Sequence, residues 1–121
     1  MARPRFMPRP LQGGATQPFS TAEEAWLWYA HCQLARLAGC RPRPDMGEVS
    51  RPCDPDDIHR EVMRLFRLNR LQAEHLRTLA ELGTRLAGEN AAVTWSDSQD
   101  KLWCEALDRL ETSLRIKGIV G

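Results

Sequence analysis

Apolar residues recur at three- and four-residue steps in four stretches of this chain, and nowhere do they alternate as a half-buried strand requires. The first stretch runs from 20 to 38. Ser20, Thr21, Ala22 and Glu23 read as a capping box, with the Ser20 hydroxyl on the amide three residues on and Glu23 returning the bond. Trp26, Tyr29, Ala30, Leu34 and Leu37 then form one stripe, widened by Trp28, Cys32 and Ala35, until Gly39 offers a left-handed stop. A helix apolar over so much of its circumference belongs at the centre of a core.

The second stretch, 54 to 68, opens with Asp54 as cap, Pro55 at the first helical position, and Asp56 and Asp57 beside the positive end of the dipole. Its stripe is Ile58, Val62, Leu65 and Phe66, while Arg60, Arg64 and Arg67 fall together on the opposite face. Asn69, Arg70 and Leu71 break the register. It resumes over 72 to 82 with His75, Leu76, Leu79 and Leu82, and Gly83 reads as the stop. Two helices joined by so short a turn are expected to pack on each other as a helix-turn-helix-like pair. The last stretch, 97 to 117, starts near Ser96 or Ser98 and aligns Leu102, Trp103, Ala106, Leu107, Leu110 and Leu114. Glu105, Asp108, Glu111 and Arg115 give it an acidic outer face. The predicted fold is all-α, a small bundle of about four main helices.

Between these stretches the chain is built for loops. Residues 1 to 19 combine four prolines, Gly13, Gly14 and three arginines, and predict a flexible basic arm ahead of one helical domain at 20 to 121. The segment from Cys40 to Cys53 is rich in proline, and 84 to 96 has weak periodicity around Gly88 and Asn90.

Composition narrows the functional classes. With 17 basic and 16 acidic residues in 121, the net charge of +1 supplies no global field toward nucleic acid or membrane, so such binding must come from local clustering. No apolar run reaches the length of a membrane span, and Met1 to Gly14 lacks the apolar core of an export signal. A cytoplasmic protein with reduced thiols at Cys32, Cys40, Cys53 and Cys104 is expected.

Neither metal nor catalytic chemistry finds its pattern. Seven residues separate Cys32 from Cys40 and five separate Cys53 from His59, whereas a zinc knuckle needs a close pair; no metal or other cofactor is expected. There is no glycine-rich phosphate loop, no G-x-S-x-G and no H-E-x-x-H, and Cys104 sits in an amphipathic helix as a small hydrophobe. Asp56 and Asp57 are accounted for by helix capping. The expectation is a protein without enzymatic activity.

Basic clustering is the signal left. Between Ile58 and Arg77 lie Arg60, Arg64, Arg67, Arg70 and Arg77 with two histidines, against Glu61 and Glu74, a local charge of +3 in a chain whose total is +1. Phosphate contacts require such a face. The competing account is a solvated face salt-bridged to the acidic last helix.

The segments TAEEAWLWYAHC, RPCDPDDIHREVMRLFRLNRLQAEHLRTLAELG and LWCEALDRLETSLRIKGIV, spanning about 21 to 120, resemble a family of small alphaproteobacterial and phage-associated helical proteins without an established activity. The central DIHREVMRLFRLNRLQAEHLRTLAELG also resembles the helix-turn-helix of sigma-factor region 4 and of some phage late-gene antiterminators, which implies DNA or RNA polymerase as partner. The expected function is transcription-associated DNA binding. Arg60, Arg64, Arg67 and Arg70 would hold phosphates, and Gln72 and Arg77 would reach base edges. The alternative is an adaptor that binds RNA polymerase or another protein, or self-assembles, with Trp26, Trp28 and Trp103 as anchors.

Overall fold

The computed structural model describes residues 16–39, 50–88 and 94–121. Among them are four helices, α1 (Ala22–Leu37), α2 (Pro55–Arg67), α3 (Ala73–Ala87) and α4 (Asp97–Ile116), in the all-α bundle that the periodicity predicts. Residues 40–49 and 89–93 of the expected loops, and 1–15 of the expected arm, lie outside the described residues.

Capping chemistry sets the helix ends. At α1 the cap is Thr21 and not Ser20: the Thr21 hydroxyl accepts from the Glu24 amide at 3.1 Å, and the Glu24 carboxylate accepts from the Ser20 amide at 2.8 Å. The cap falls one residue later than expected, and the returning bond from Glu24 goes to the Ser20 amide, the residue before the cap, so the expected reciprocal box is not formed. Asp54 with Asp57, and Ser96 with Gln99, close the boxes of α2 and α4. Leu68 ends α2, and Asn69 follows in the left-handed region at φ 62°. The Asn69 amide donates to Phe66 O at 3.0 Å and the Arg70 amide to Leu65 O at 2.8 Å, a Schellman turn with asparagine in glycine's usual place. Gly118, at φ 79°, ends α4 in the same way.

α1 and α4 form the middle of the core, both packed against α2 and α3. The expectation that α2 and α3 pack on each other is corrected: they barely touch, and diverge with α1 and α4 filling the space between them. Leu71, fully buried after the turn, redirects the chain. Phe66, expected in the core stripe, is 36% exposed, while Ile58, Val62 and Leu65 are buried.

Gly83 does not stop α3, which continues to Ala87. Its role is close packing. A Cβ there would lie 2.6 Å from Nε1 of Trp26, so only glycine lets α3 approach α1 at this point. The end of the expected arm is also structured: Phe19 is buried, its amide donates to Ile119 O at 2.9 Å, and it forms an isolated parallel bridge with Val120. Arg51 stacks over its ring at 4.2 Å. No helix among the described residues is long and apolar enough to cross a membrane.

Candidate nucleic-acid interface

The arginines of α2 divide into those tied to acids and those left open. Arg60 donates to Asp57 at 2.6 Å across one helical turn. Arg64 donates to the buried carboxylate of Glu61 through Nε at 3.1 Å and Nη2 at 2.7 Å, and Nη2 reaches Ser113 of α4 at 3.3 Å. Arg64 is therefore part of the α2–α4 joint, not a side chain clear of the core. Ser113 also donates to Glu61, and Lys117 Nζ lies 3.7 Å from its second oxygen.

Burial alone would raise the Glu61 carboxyl. The hydrogen bonds from Arg64 and Ser113, with the positive charges of Arg64 and Lys117, outweigh it and hold the group below its ordinary 4.5.

Arg67 lies one turn beyond Arg64 on an exposed position, and Arg70 follows the Schellman turn; neither guanidinium has an acidic partner among the described residues. Arg109 of α4 reaches across and donates to the Arg70 carbonyl at 3.2 Å. Arg64, Arg70 and Arg109 thus converge on one cleft of about 370 Å³ between α2, the turn and α4, with Asp108, Thr112 and Ser113 in its wall and Leu68 and Ile116 exposed beside them. The expected acidic face of α4 is accordingly mixed. Glu105 is engaged by His75, and Glu111 accepts from the Ala22 amide at 3.0 Å and from Arg115 at 2.8 Å.

Sequence reasoning missed Arg109. Its only local signal is a basic residue between Asp108 and Leu110, and which helix lies opposite is not written in that pattern. His75, counted with the basic cluster, is buried at the start of α3. Its Nδ1 accepts from the Gln72 amide at 3.0 Å, so Nε2 carries the proton and donates to Glu105 at 3.1 Å. That hydrogen bond, followed by the charges of Lys101 and Arg109, holds the Glu105 carboxyl below its usual range.

The two expected base readers do not come together. Gln72 caps α3 and Arg77 is five residues on, which on a helix is about 140° around the axis. Arg77 shares its exposed face with Glu74, Glu81 and Arg85, whose charges and its own sum to zero. The aromatic anchors of the adaptor reading are corrected as well. Trp26 and Trp103 are 5% and 4% exposed, and half-buried Trp28 packs on Phe19 with ring centroids 5.2 Å apart. Their bulk supplies core packing, which leaves little for a partner to touch.

Cys53 and His59, the closest pair of potential metal ligands by sequence, point to different surroundings: Cys53 is buried, and His59 is exposed and stacks on Tyr29 at 5.7 Å. Burial, then the charges of Asp57 and Asp54, push the Cys53 thiol up to about 12. No three His, Cys, Asp or Glu side chains converge as a metal cage among the described residues, and Cys40 lies outside them.

No family model matches the chain, and no curated protein or solved structure shows a significant match to it.

Proposed function

We propose that the protein is a non-enzymatic DNA-binding component of transcription that holds duplex phosphates along the edge formed by α2, the Asn69 turn and α4. The observation that carries this reading is that Arg70 and Arg109 line one cleft with Arg64, with Arg67 exposed one helical turn beyond Arg64, and that Arg67, Arg70 and Arg109 form no ion pair among the described residues. Arg64 stands beside them, held in place by Glu61. Exposed guanidinium groups neutralise phosphates and release counterions, and that release dominates DNA affinity. Since the exposed charges of α3 cancel, α3 contributes little attraction, and affinity depends weakly on base sequence. The transcription setting rests only on the resemblance of the central segment to sigma-factor region 4 and phage antiterminators, since α2 and α3 barely touch and do not form the packed pair expected of a helix-turn-helix.

Fluorescence anisotropy of a short labelled duplex, titrated across salt concentrations, tests this. The expected result is submillimolar affinity at low salt that falls linearly in log–log form as salt rises. No detectable affinity at low salt overturns it.

Leu68 and Ile116, 51% and 81% exposed beside the same arginines, favour a second reading, an adaptor whose partner carries acidic side chains next to apolar ones. A crosslinking pull-down from lysate with and without nuclease separates the two: nuclease abolishes capture in the first and spares it in the second.

A further inference from the structure

Phosphate contacts account for the arginines of the edge and leave its apolar side chains without a role. Leu68 caps the end of α2 and Ile116 is the last residue of α4. Of the four large apolar side chains exposed among the described residues, these two line the cleft that Arg64, Arg70 and Arg109 share. Asp108 is the one acid among the described residues in that wall, so guanidinium groups outnumber carboxylates around the pair. A ligand complementary to this surface is anionic at its margins and apolar where the two aliphatic side chains meet it.

A DNA duplex has both features at one place. Its phosphates border the minor groove, and its large apolar surfaces are the faces of the stacked bases, which an aliphatic side chain reaches by entering between two base pairs. Base edges are a poorer match, because Leu and Ile offer them no hydrogen bond, and the minor groove asks for little such readout. Reading from the major groove needs a helix presented to it, and here the exposed charges of α3 cancel while α2 and α3 barely touch. Parting a base step costs stacking energy. Removing two aliphatic side chains from water offsets that cost, as do the added phosphate contacts of a bent duplex.

We propose that Leu68 and Ile116 form a wedge that enters the minor groove, parts a base step and bends DNA held by the arginine edge. The inference rests on the DNA reading and adds an activity to it. Flexible pyrimidine–purine steps such as TA deform at least cost, so the wedge prefers them without a hydrogen bond to any base.

The test uses a short duplex with a central TA step and a fluorophore at each end. Energy transfer between the ends reports bending and anisotropy reports binding, both across salt concentrations. The full chain is compared with the double variant Leu68→Ala, Ile116→Ala, and circular dichroism melts establish that the variant is folded. The wild type should raise energy transfer at saturation. The variant should keep the salt slope, bind about tenfold more weakly and leave energy transfer at the level of free duplex. A duplex with a mismatched central step, already cheaper to unstack, should bind the wild type about tenfold more tightly and the variant little better than the matched one. This arm judges the wedge on the wild type alone if the variant fails to fold. Binding without bending, or equal wild-type affinity for matched and mismatched duplexes, overturns the wedge and leaves the DNA reading standing. A folded double variant that binds and bends as the wild type does also overturns it, and assigns the apolar pair to a protein partner. No binding of any duplex at low salt removes the DNA reading and the wedge with it.

Discussion

The indole nitrogen of Trp26 occupies the space that a side chain at Gly83 would need. Nε1 donates to Leu79 O at 2.9 Å, and a Cβ on residue 83 would come within 2.6 Å of that nitrogen. Leu79 O is one helical turn before Gly83, so the same carbonyl serves the α3 ladder and the α1 indole.

Gly83→Ala puts two effects of opposite sign in competition. Alanine favours a helix interior by about 1 kcal/mol. Against that, the new methyl must expel the indole, break a buried hydrogen bond and shift a helix, together about 2–4 kcal/mol. The expected outcome is a net loss of about 1–3 kcal/mol in urea unfolding, with a change in tryptophan fluorescence of the native state. A stabilised variant would mean that α1 and α3 are not held this close.

Glu61 links α2 to α4 through Arg64, Ser113 and Lys117, and its carboxyl lies below the ordinary 4.5 in the folded chain. A depressed carboxyl binds fewer protons folded than unfolded, so its contribution to stability is full above the unfolded value and is lost as pH falls through the folded one. Glu61→Gln keeps the shape and forfeits the charge, and is expected to cost about 1–3 kcal/mol at neutral pH. Melts taken from neutral pH downward should show the wild type and the variant converging in acid. A constant gap between them would assign the loss to packing instead.

The four helices were legible because each carries an apolar stripe at helical spacing and three of them a recognisable cap at or beside the start, both local features. What stayed hidden depends on which surface lies opposite. A glycine after Leu79 and Leu82 looks the same whether it ends a helix or admits a neighbour's indole, and only the presence of Trp26 decides. Phe66 continues the α2 stripe in sequence yet is 36% exposed, while its neighbour Leu65 is buried. In the candidate interface, Glu61 three residues before Arg64 marks that pair in the sequence, and Arg67 has no acid at that spacing; what stayed hidden is that Ser113 and Lys117 of the chain's far end join the pair and tie it to α4.

Asn69 carries the α2–α3 turn at φ 62°, where a β-branched side chain crowds its own backbone. Asn69→Val should cost about 1–2 kcal/mol, whereas Asn69→Gly should be close to neutral because glycine enters this region freely. Chemical denaturation of both variants measures the difference. Since the turn also positions Arg70, whose carbonyl receives Arg109, Asn69→Val should weaken DNA binding more than Asn69→Gly does.

The sharpest test of the arginine edge replaces Arg67, Arg70 and Arg109 together with glutamine. These residues make no ion pairs among the described residues, and the one hydrogen bond at stake, Arg109 to the Arg70 carbonyl, is exposed; the melting temperature should therefore hardly move. Binding should weaken on every DNA sequence alike, and the slope of affinity against salt should fall by up to about three contacts' worth of counterion release. Arg64 is unsuited to this test, because removing it uncovers the Glu61 charge and confounds binding with stability. Arg77→Ala serves as the contrast. If α3 reads a base through it, the variant loses about 1–3 kcal/mol on a preferred site and keeps its nonspecific affinity. If α3 stands clear of the DNA, neither changes. A triple variant that binds as the wild type does, with the same salt slope, would remove the phosphates from this edge and leave the exposed Leu68 and Ile116 as the better guide to a protein partner.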